Sequence, residues 1–246
     1  MDQVLFATAL LAVVLIHGYS DDASVWDQWV KWLTEDNFIS MPITFSGDDR
    51  CGTVQEHAAD LDRILNGSEV NIIAYSKGGL DARWYISHYA DKVDNLVMIA
   101  TPNRGTDAAN MDLTECGGAP GVDDLKPGAQ ATLSPDQDTT KYFTIAGNYP
   151  SPSYFVLQRP VVDHDGLVTV DSVQSHYNVS VFPYNHTGLL THKDVYDQVL
   201  SNLYPAPPGW KNGMPPPPDP DARIVICYNE TSDPLCPTYM SNRTLF

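Results

Sequence analysis

Apolar positions along this chain follow two alternating patterns. Short apolar runs over Ala12–Ile16, Val70–Tyr75, Asn95–Ala100, Lys141–Ala146 and Val179–Pro183 predict strands, and Ile43-Thr44-Phe45 predicts a shorter one. Between them, apolar residues recur three and four positions apart. That spacing predicts helices over Ser24–Leu33, with its tryptophans on one stripe, and over Val54–Asn66, with Ala58, Leu61, Ile64 and Leu65 on one side. Further helices are expected over Lys77–Tyr89 and Lys193–Leu203. Strand and helix in alternation give an α/β chain: a mostly parallel sheet with helices on both faces.

Residues 101–138 break the rhythm, being rich in Gly, Pro, Asp and Thr. An irregular stretch of that length in a packed domain usually lines a site. It contains no strong amphipathic helix, so a lid is expected to be small or absent. Pro crowds residues 205–222, with Pro215 to Pro218 consecutive. The expected organisation is one main domain over 1–204, a linker over 205–222 and a small tail over 223–246.

At 246 residues the chain can bury a sizeable core, and its 43% hydrophobic content is ordinary. Its formal charge of −17 is not. A balance so acidic argues against nucleic-acid or anionic-membrane partners, which need clustered Lys and Arg. The apolar run from Val4 to Ile16 is too short to span a bilayer and leads into His17-Gly18, so it reads as a core strand with its lead-in. A monomer is expected.

Cys51, Cys116, Cys227 and Cys236 show no C-x-x-C pair, and no histidine cluster has metal-ligand spacing. Disulfides are therefore favoured over a zinc site. Cys227 with Cys236 would staple the tail, and Cys51 with Cys116 would join two loops on one face of the sheet. Five N-x-[ST] sequons, at Asn66, Asn178, Asn185, Asn229 and Asn242, fit an extracytoplasmic or secreted location.

Chemistry concentrates at Val70-Asn71-Ile72-Ile73-Ala74-Tyr75-Ser76-Lys77-Gly78-Gly79. A serine between a β-branched run and a helical segment, with small residues two before and two after it, is the layout of a nucleophile elbow. Ala74 and Gly78 are those small positions. A serine hydroxyl needs a base, and the base needs an acid to fix its tautomer. His186, just past the last predicted strand, suits the base, with His192 as its rival. Asp165, before a turn-making Gly166, suits the acid, with Asp163 and Asp171 as fallbacks. An oxyanion hole needs two main-chain N–H groups. Lys77, following the serine, and Tyr19, after His17-Gly18, are the candidates. Tyr19, Trp26, Tyr149, Tyr154 and Phe155 could together form an aromatic clamp on substrate.

Four blocks in order resemble the α/β-hydrolases of the bacterial and archaeal lipase group: Val14-Leu15-Ile16-His17-Gly18-Tyr19 with Trp26; Ala74-Tyr75-Ser76-Lys77-Gly78-Gly79-Leu80-Asp81-Ala82-Arg83; Ala100-Thr101-Pro102-Asn103-Arg104-Gly105; and Asp165-Gly166-Leu167-Val168 followed by His186. The resemblance implies the α/β-hydrolase fold and hydrolysis of carboxylic esters, small, lipid or polymeric, through an acyl-enzyme. It makes Ser76, Asp165 and His186 the triad, with Leu167 and Leu189 on the acyl side of the cleft. Two departures stand out. Tyr75 replaces the usual His before the nucleophile, as in cutinases. Thr187 and Gly188 stand where some lipases carry a calcium-binding aspartate, so neither metal nor other cofactor is expected. An acyltransferase or thioesterase on the same triad, and a non-catalytic surface-binding module, are the alternatives.

Overall fold

The computed structural model describes residues 12–45, 50–89, 92–110, 116, 119–129, 139–149 and 162–204. The linker, the tail and the Cys227–Cys236 pair lie outside these residues, as do Tyr154 and Phe155.

Six strands form one sheet: β1 (Ala12–Ile16), β2 (Ser40–Pro42), β3 (Val70–Tyr75), β4 (Val93–Ile99), β5 (Lys141–Gly147) and β6 (Val179–Phe182). Their order is β2-β1-β3-β4-β5-β6, and every pairing is parallel. Parallel neighbours require crossovers. Helices α1 (Asp27–Glu35), α2 (Val54–Leu65) and α3 (Lys77–His88) lie in three of them and a short α4 (Val170–Gln174) lies ahead of β6, while α5 (Lys193–Leu203) follows the last strand.

Period-2 alternation divides the strand residues between two cores. Val13, Leu15, Ile73, Tyr75, Val97 and Ile99 face a cluster completed by Trp29 and Leu33 of α1 and Val195, Tyr196 and Val199 of α5. Val14, Ile16, Ile72, Ala74, Leu96 and Met98 face the opposite cluster, completed by Ala58, Leu61 and Leu65 of α2 and by Ala82, Tyr85 and Ile86 of α3. Burial on both faces is why these strands read as unbroken apolar runs.

Local signals explain the helix boundaries. Thr53 caps α2 in a reciprocal box with Glu56, and Asp124 also accepts from Val54 N. Asn66 ends α2 in the left-handed region at φ 45°. The helix expected over 24–33 begins as a 3₁₀ turn, Ala23–Trp26, capped by Asp22, and α1 follows to Glu35. The strand expected at 43–45 lies earlier, at Ser40–Pro42, paired with Val13–Leu15. Ile43 and Phe45 are buried below the sheet edge, which gave them their strand-like apolarity.

Cys51 and Cys116 form the expected disulfide, with Cα atoms 5.9 Å apart. Within 101–138, the described residues hold two 3₁₀ turns, Asp107–Asn110 and Pro120–Leu125. Among the described residues, no helix is long and apolar enough to cross a membrane, and no group of three or more His, Cys, Asp or Glu could hold a metal ion.

Candidate active site

Ser76 stands between β3 and α3 at φ 51°, ψ −124°, a conformation that L residues with a Cβ rarely adopt. The surroundings enforce it. Ser76 N donates to Ile99 O at 2.8 Å, tying the turn to β4, and Gly79 N donates back to Ser76 O. A Cβ on Gly78 would run into the carbonyls of Ile16 and His17, and one on Gly79 would run into Thr101. The small residues after the serine thus let α3 press against the ends of β1 and β4.

Asp165 reaches the site from the loop after β5. Its Oδ1 accepts from Leu167 N at 2.9 Å and from Val168 N at 2.8 Å, leaving Oδ2 free to face the histidine. Gly166 makes this turn at φ 107°. Gly147 ends β5 where any Cβ would meet Tyr184 O and the Asp165 side chain. His186 follows β6. Its Nδ1 lies 2.7 Å from Asp165 Oδ2 and its Nε2 3.0 Å from Ser76 Oγ. A carboxylate only accepts, so Nδ1 carries the proton and the Nε2 lone pair faces the hydroxyl. Ser76, Asp165 and His186 are thus brought into one hydrogen-bonded line.

The rivals lie elsewhere. His192 is exposed, stacked on Tyr184 with ring centroids 3.7 Å apart. Asp163 is exposed, and Asp171 pairs with Arg104 at the surface.

The loop after β1 closes on the serine. A Cβ on Gly18 would lie 3.1 Å from Ser76 Cβ, so any side chain there would crowd the serine. Ser20 N donates to Arg50 O and Asp21 N to Gly18 O, which leaves the Tyr19 N–H of this turn without an acceptor among the described residues. Lys77 N, in the first turn of α3, has no intrahelical acceptor by geometry. The Tyr19 ring packs against Val54, Leu80, Ala109 and Leu125, and burial pushes its phenol above the usual range.

The residues expected to contact substrate differ in burial. Trp26 and Leu189 are wholly buried in the core cluster shared with Leu15, Tyr75 and Ile99. Trp26 ends the 3₁₀ turn and meets Trp29 edge to face, with centroids 5.5 Å apart, within the cluster that packs α1 onto the sheet. Leu189 fills the space beside Gly147. Leu167 is half-buried against Ala146, Val168 and Val173, and Tyr149 is half-exposed.

One group of residues was not anticipated. Lys77 and Asp81, one helical turn apart, are buried and paired, with Nζ 2.6 Å from Oδ1. His57 of α2 closes on the other oxygen, Nδ1 lying 2.9 Å from Oδ2. Burial pushes the Asp81 carboxyl up, but Lys77, His57 and their hydrogen bonds outweigh it and hold Asp81 below the usual carboxylate range. The only sequence signal is a Lys and an Asp at i and i+4 among small and apolar residues.

No family model matches this sequence. It is 31% identical over 97 residues to the biotin biosynthesis bifunctional protein BioHC of Teredinibacter turnerae; the match takes in 36% of this chain but only 17% of that protein's length. Among solved structures it resembles the mature form of Bacillus licheniformis lipase BlEst2, at 19% identity and TM-score 0.63, over 80% of this chain and 93% of that one. A metagenomic carboxyl esterase, MGS0156, matches at 16% identity and TM-score 0.58, over 73% and 65% of the two chains. A thermophilic esterase from Thermogutta terrifontis matches at 15% identity and TM-score 0.53, over 77% and 88%. An all-parallel sheet in this strand order, carrying these likenesses over most of its length, is the α/β-hydrolase fold.

Proposed function

We propose that this protein is a serine hydrolase that cleaves carboxylic esters through an acyl-enzyme on Ser76. One observation carries the reading: the hydrogen-bonded line from Ser76 Oγ through His186 to Asp165, with the serine raised on a strained turn. The lipases and esterases that share its fold support it. In this mechanism neutral His186 takes the hydroxyl proton as Oγ attacks the ester carbonyl. Asp165 stabilises the imidazolium that results. The N–H groups of Tyr19 and Lys77 receive the oxyanion of the tetrahedral intermediate. The imidazolium then protonates the departing alcohol, and water, activated by the same histidine, releases the acid.

Esters of short to medium acyl chains are the proposed substrates, with half-buried Leu167 on the acyl side. The Cys51–Cys116 disulfide supports an extracytoplasmic setting.

Fluorophosphonate labelling with peptide mapping, beside p-nitrophenyl butyrate turnover, tests the reading. A single adduct on Ser76 is expected, with turnover abolished in a folded Ser76→Ala variant. Turnover retained by that variant sinks the assignment.

A further inference from the structure

Lys77 enters the proposed mechanism through its main chain, yet its side chain is the costlier feature. A lysine with no exposed surface and an aspartate with 1% are a buried ion pair immediately behind the nucleophile. Such pairs add little to stability, because desolvation offsets their attraction, and apolar residues of similar size often serve as well. Stability alone therefore gives a poor account of the pair.

Its connections give a better one. His57 Nδ1 donates to Asp81, since a carboxylate can only accept; the 3.3 Å approach of Lys77 Nζ to that same nitrogen is then a contact and not a hydrogen bond. The His57 ring lies flat on Phe45, with centroids 3.7 Å apart and planes 7° from parallel. Phe45 meets His17 edge to face at 5.0 Å, and His17 Nδ1 donates to Gly18 O at 2.8 Å. A continuous buried line thus runs Lys77–Asp81–His57–Phe45–His17–Gly18. Its two ends are the first turn of α3 and the loop after β1. These are the segments that carry the two proposed oxyanion donors, Lys77 N and Tyr19 N. They belong to different elements, and their spacing has to match one oxygen atom to within about half an ångström.

We propose that Lys77, Asp81 and His57 are positioning residues that hold the two oxyanion-donor segments in register. This rests on the reading of Ser76 as nucleophile. The cluster acts through geometry: the charges of Lys77 and Asp81 offset each other, and none of its side chains has a part in the proposed chemistry.

A donor displaced by about an ångström costs on the order of 10²-fold in rate. The loss falls on the transition state and spares ground-state binding. The test compares wild type, Ser76→Ala, Lys77→Met/Asp81→Leu, His57→Asn and His57→Leu, using p-nitrophenyl butyrate and an alkyl trifluoromethyl ketone that forms a tetrahedral adduct. The double variant removes both charges together, so its melting temperature should fall by no more than the loss of the His57 N–H acceptor accounts for. Its kcat should fall by about 10²-fold with KM little changed, and its ketone affinity should fall in parallel. Wild-type kcat and ketone affinity in the folded double variant overturn the proposal and leave the cluster structural. If that variant does not fold, the histidine pair decides. Asn keeps an N–H where Nδ1 was, so kcat and ketone affinity should be better retained with Asn than with Leu; equal values overturn the proposal. Retained turnover in Ser76→Ala defeats the underlying reading instead, whatever the other variants do.

Discussion

His186 is bound to Asp165 twice: its main-chain N–H donates to the aspartate carbonyl at 2.8 Å, and its ring nitrogen lies 2.7 Å from the carboxylate. Two independent ties make the loops after β5 and β6 one unit. The proposed base and acid keep their geometry even if the pair shifts relative to the serine.

Asp165→Asn should separate these ties. The backbone bond survives, so the fold should melt near the wild-type temperature. The ring loses the acceptor that selects its tautomer, and kcat on p-nitrophenyl butyrate should fall by about 10⁴-fold. A loss under tenfold would remove Asp165 from the role of orienting acid.

Gly78→Ala should damage both the fold and the site. The new methyl meets main-chain carbonyls of Ile16 and His17, which cannot swing aside as a side chain could. Overpacking of this kind costs about 1–3 kcal/mol, read as a lower urea midpoint. Activity should fall further than stability accounts for, because α3 would be pushed off the loop that approaches Ser76. Wild-type stability would mean that the strand end yields more easily than its hydrogen bonds suggest.

Arg104 and Ser172 both tie the loop before β4's neighbouring strand to the acid-bearing loop, with unequal expected worth. Arg104 grips Asp171 with two bonds, 3.0 and 2.9 Å, but both partners are largely exposed. Ser172 is buried; its Oγ donates to Gly105 O at 2.7 Å and accepts from Arg104 N. Arg104→Ala should cost about 0–1 kcal/mol. Ser172→Ala strands the buried Gly105 carbonyl and the part-buried Arg104 N–H and should cost about 1–3 kcal/mol. Chemical denaturation that returned the reverse order would show the surface pair to be the true anchor.

Cys51→Ser should lower stability by about 4 kcal/mol, since the bond closes a loop with a sequence separation of 65. Thermal melts with and without reductant should show the same difference in wild type. No sensitivity to reductant would mean that the close approach of Gly121 to the Cys51 and Gly52 carbonyls already holds this region.

Acid should weaken the fold in two stages. Burial holds His17 below its ordinary 6.5, against the opposing hydrogen bond to Gly18 and the charge of Asp81. The unfolded chain binds a proton there that the folded chain resists. This contribution is complete above pH 6.5 and is lost as pH falls toward the folded-state value. Asp81 stands below its ordinary 3.8, so its contribution is complete above that pH and is lost as pH falls through the lower folded value. Urea midpoints measured from about pH 8 down to pH 3 should decline first below 6.5. His17→Gln should flatten that first stage; an unchanged slope would assign it to another group.

The sheet and the Ser76 line were legible because their signals are local. An apolar run ending at Ala74-Tyr75-Ser76 and small residues after it describe one turn, and Asp165 and His186 each follow a strand. Trp26 and Leu189 show what composition leaves open: an apolar side chain beside a site and one in a core look alike in sequence, and only packing separates them. The Arg104–Asp171 pair, 67 residues apart, and the His57–Asp81 pair, 24 apart on different helices, have no periodicity to betray them. Such contacts exist only once the elements dock.

The proposed base is carried at one margin of the sheet. Among the described residues β6 pairs with β5 alone, and its Val181 is 47% exposed, whereas β3, which carries the serine, lies between two strands and is buried throughout. Margins of this kind open at lower free energy than the interior. Brief release of β6 would carry His186 away while Ser76 stayed in place. Loss of turnover should therefore precede melting, in steps the chain can reverse, and the working lifetime of the site is set by this one strand and not by the stability of the whole.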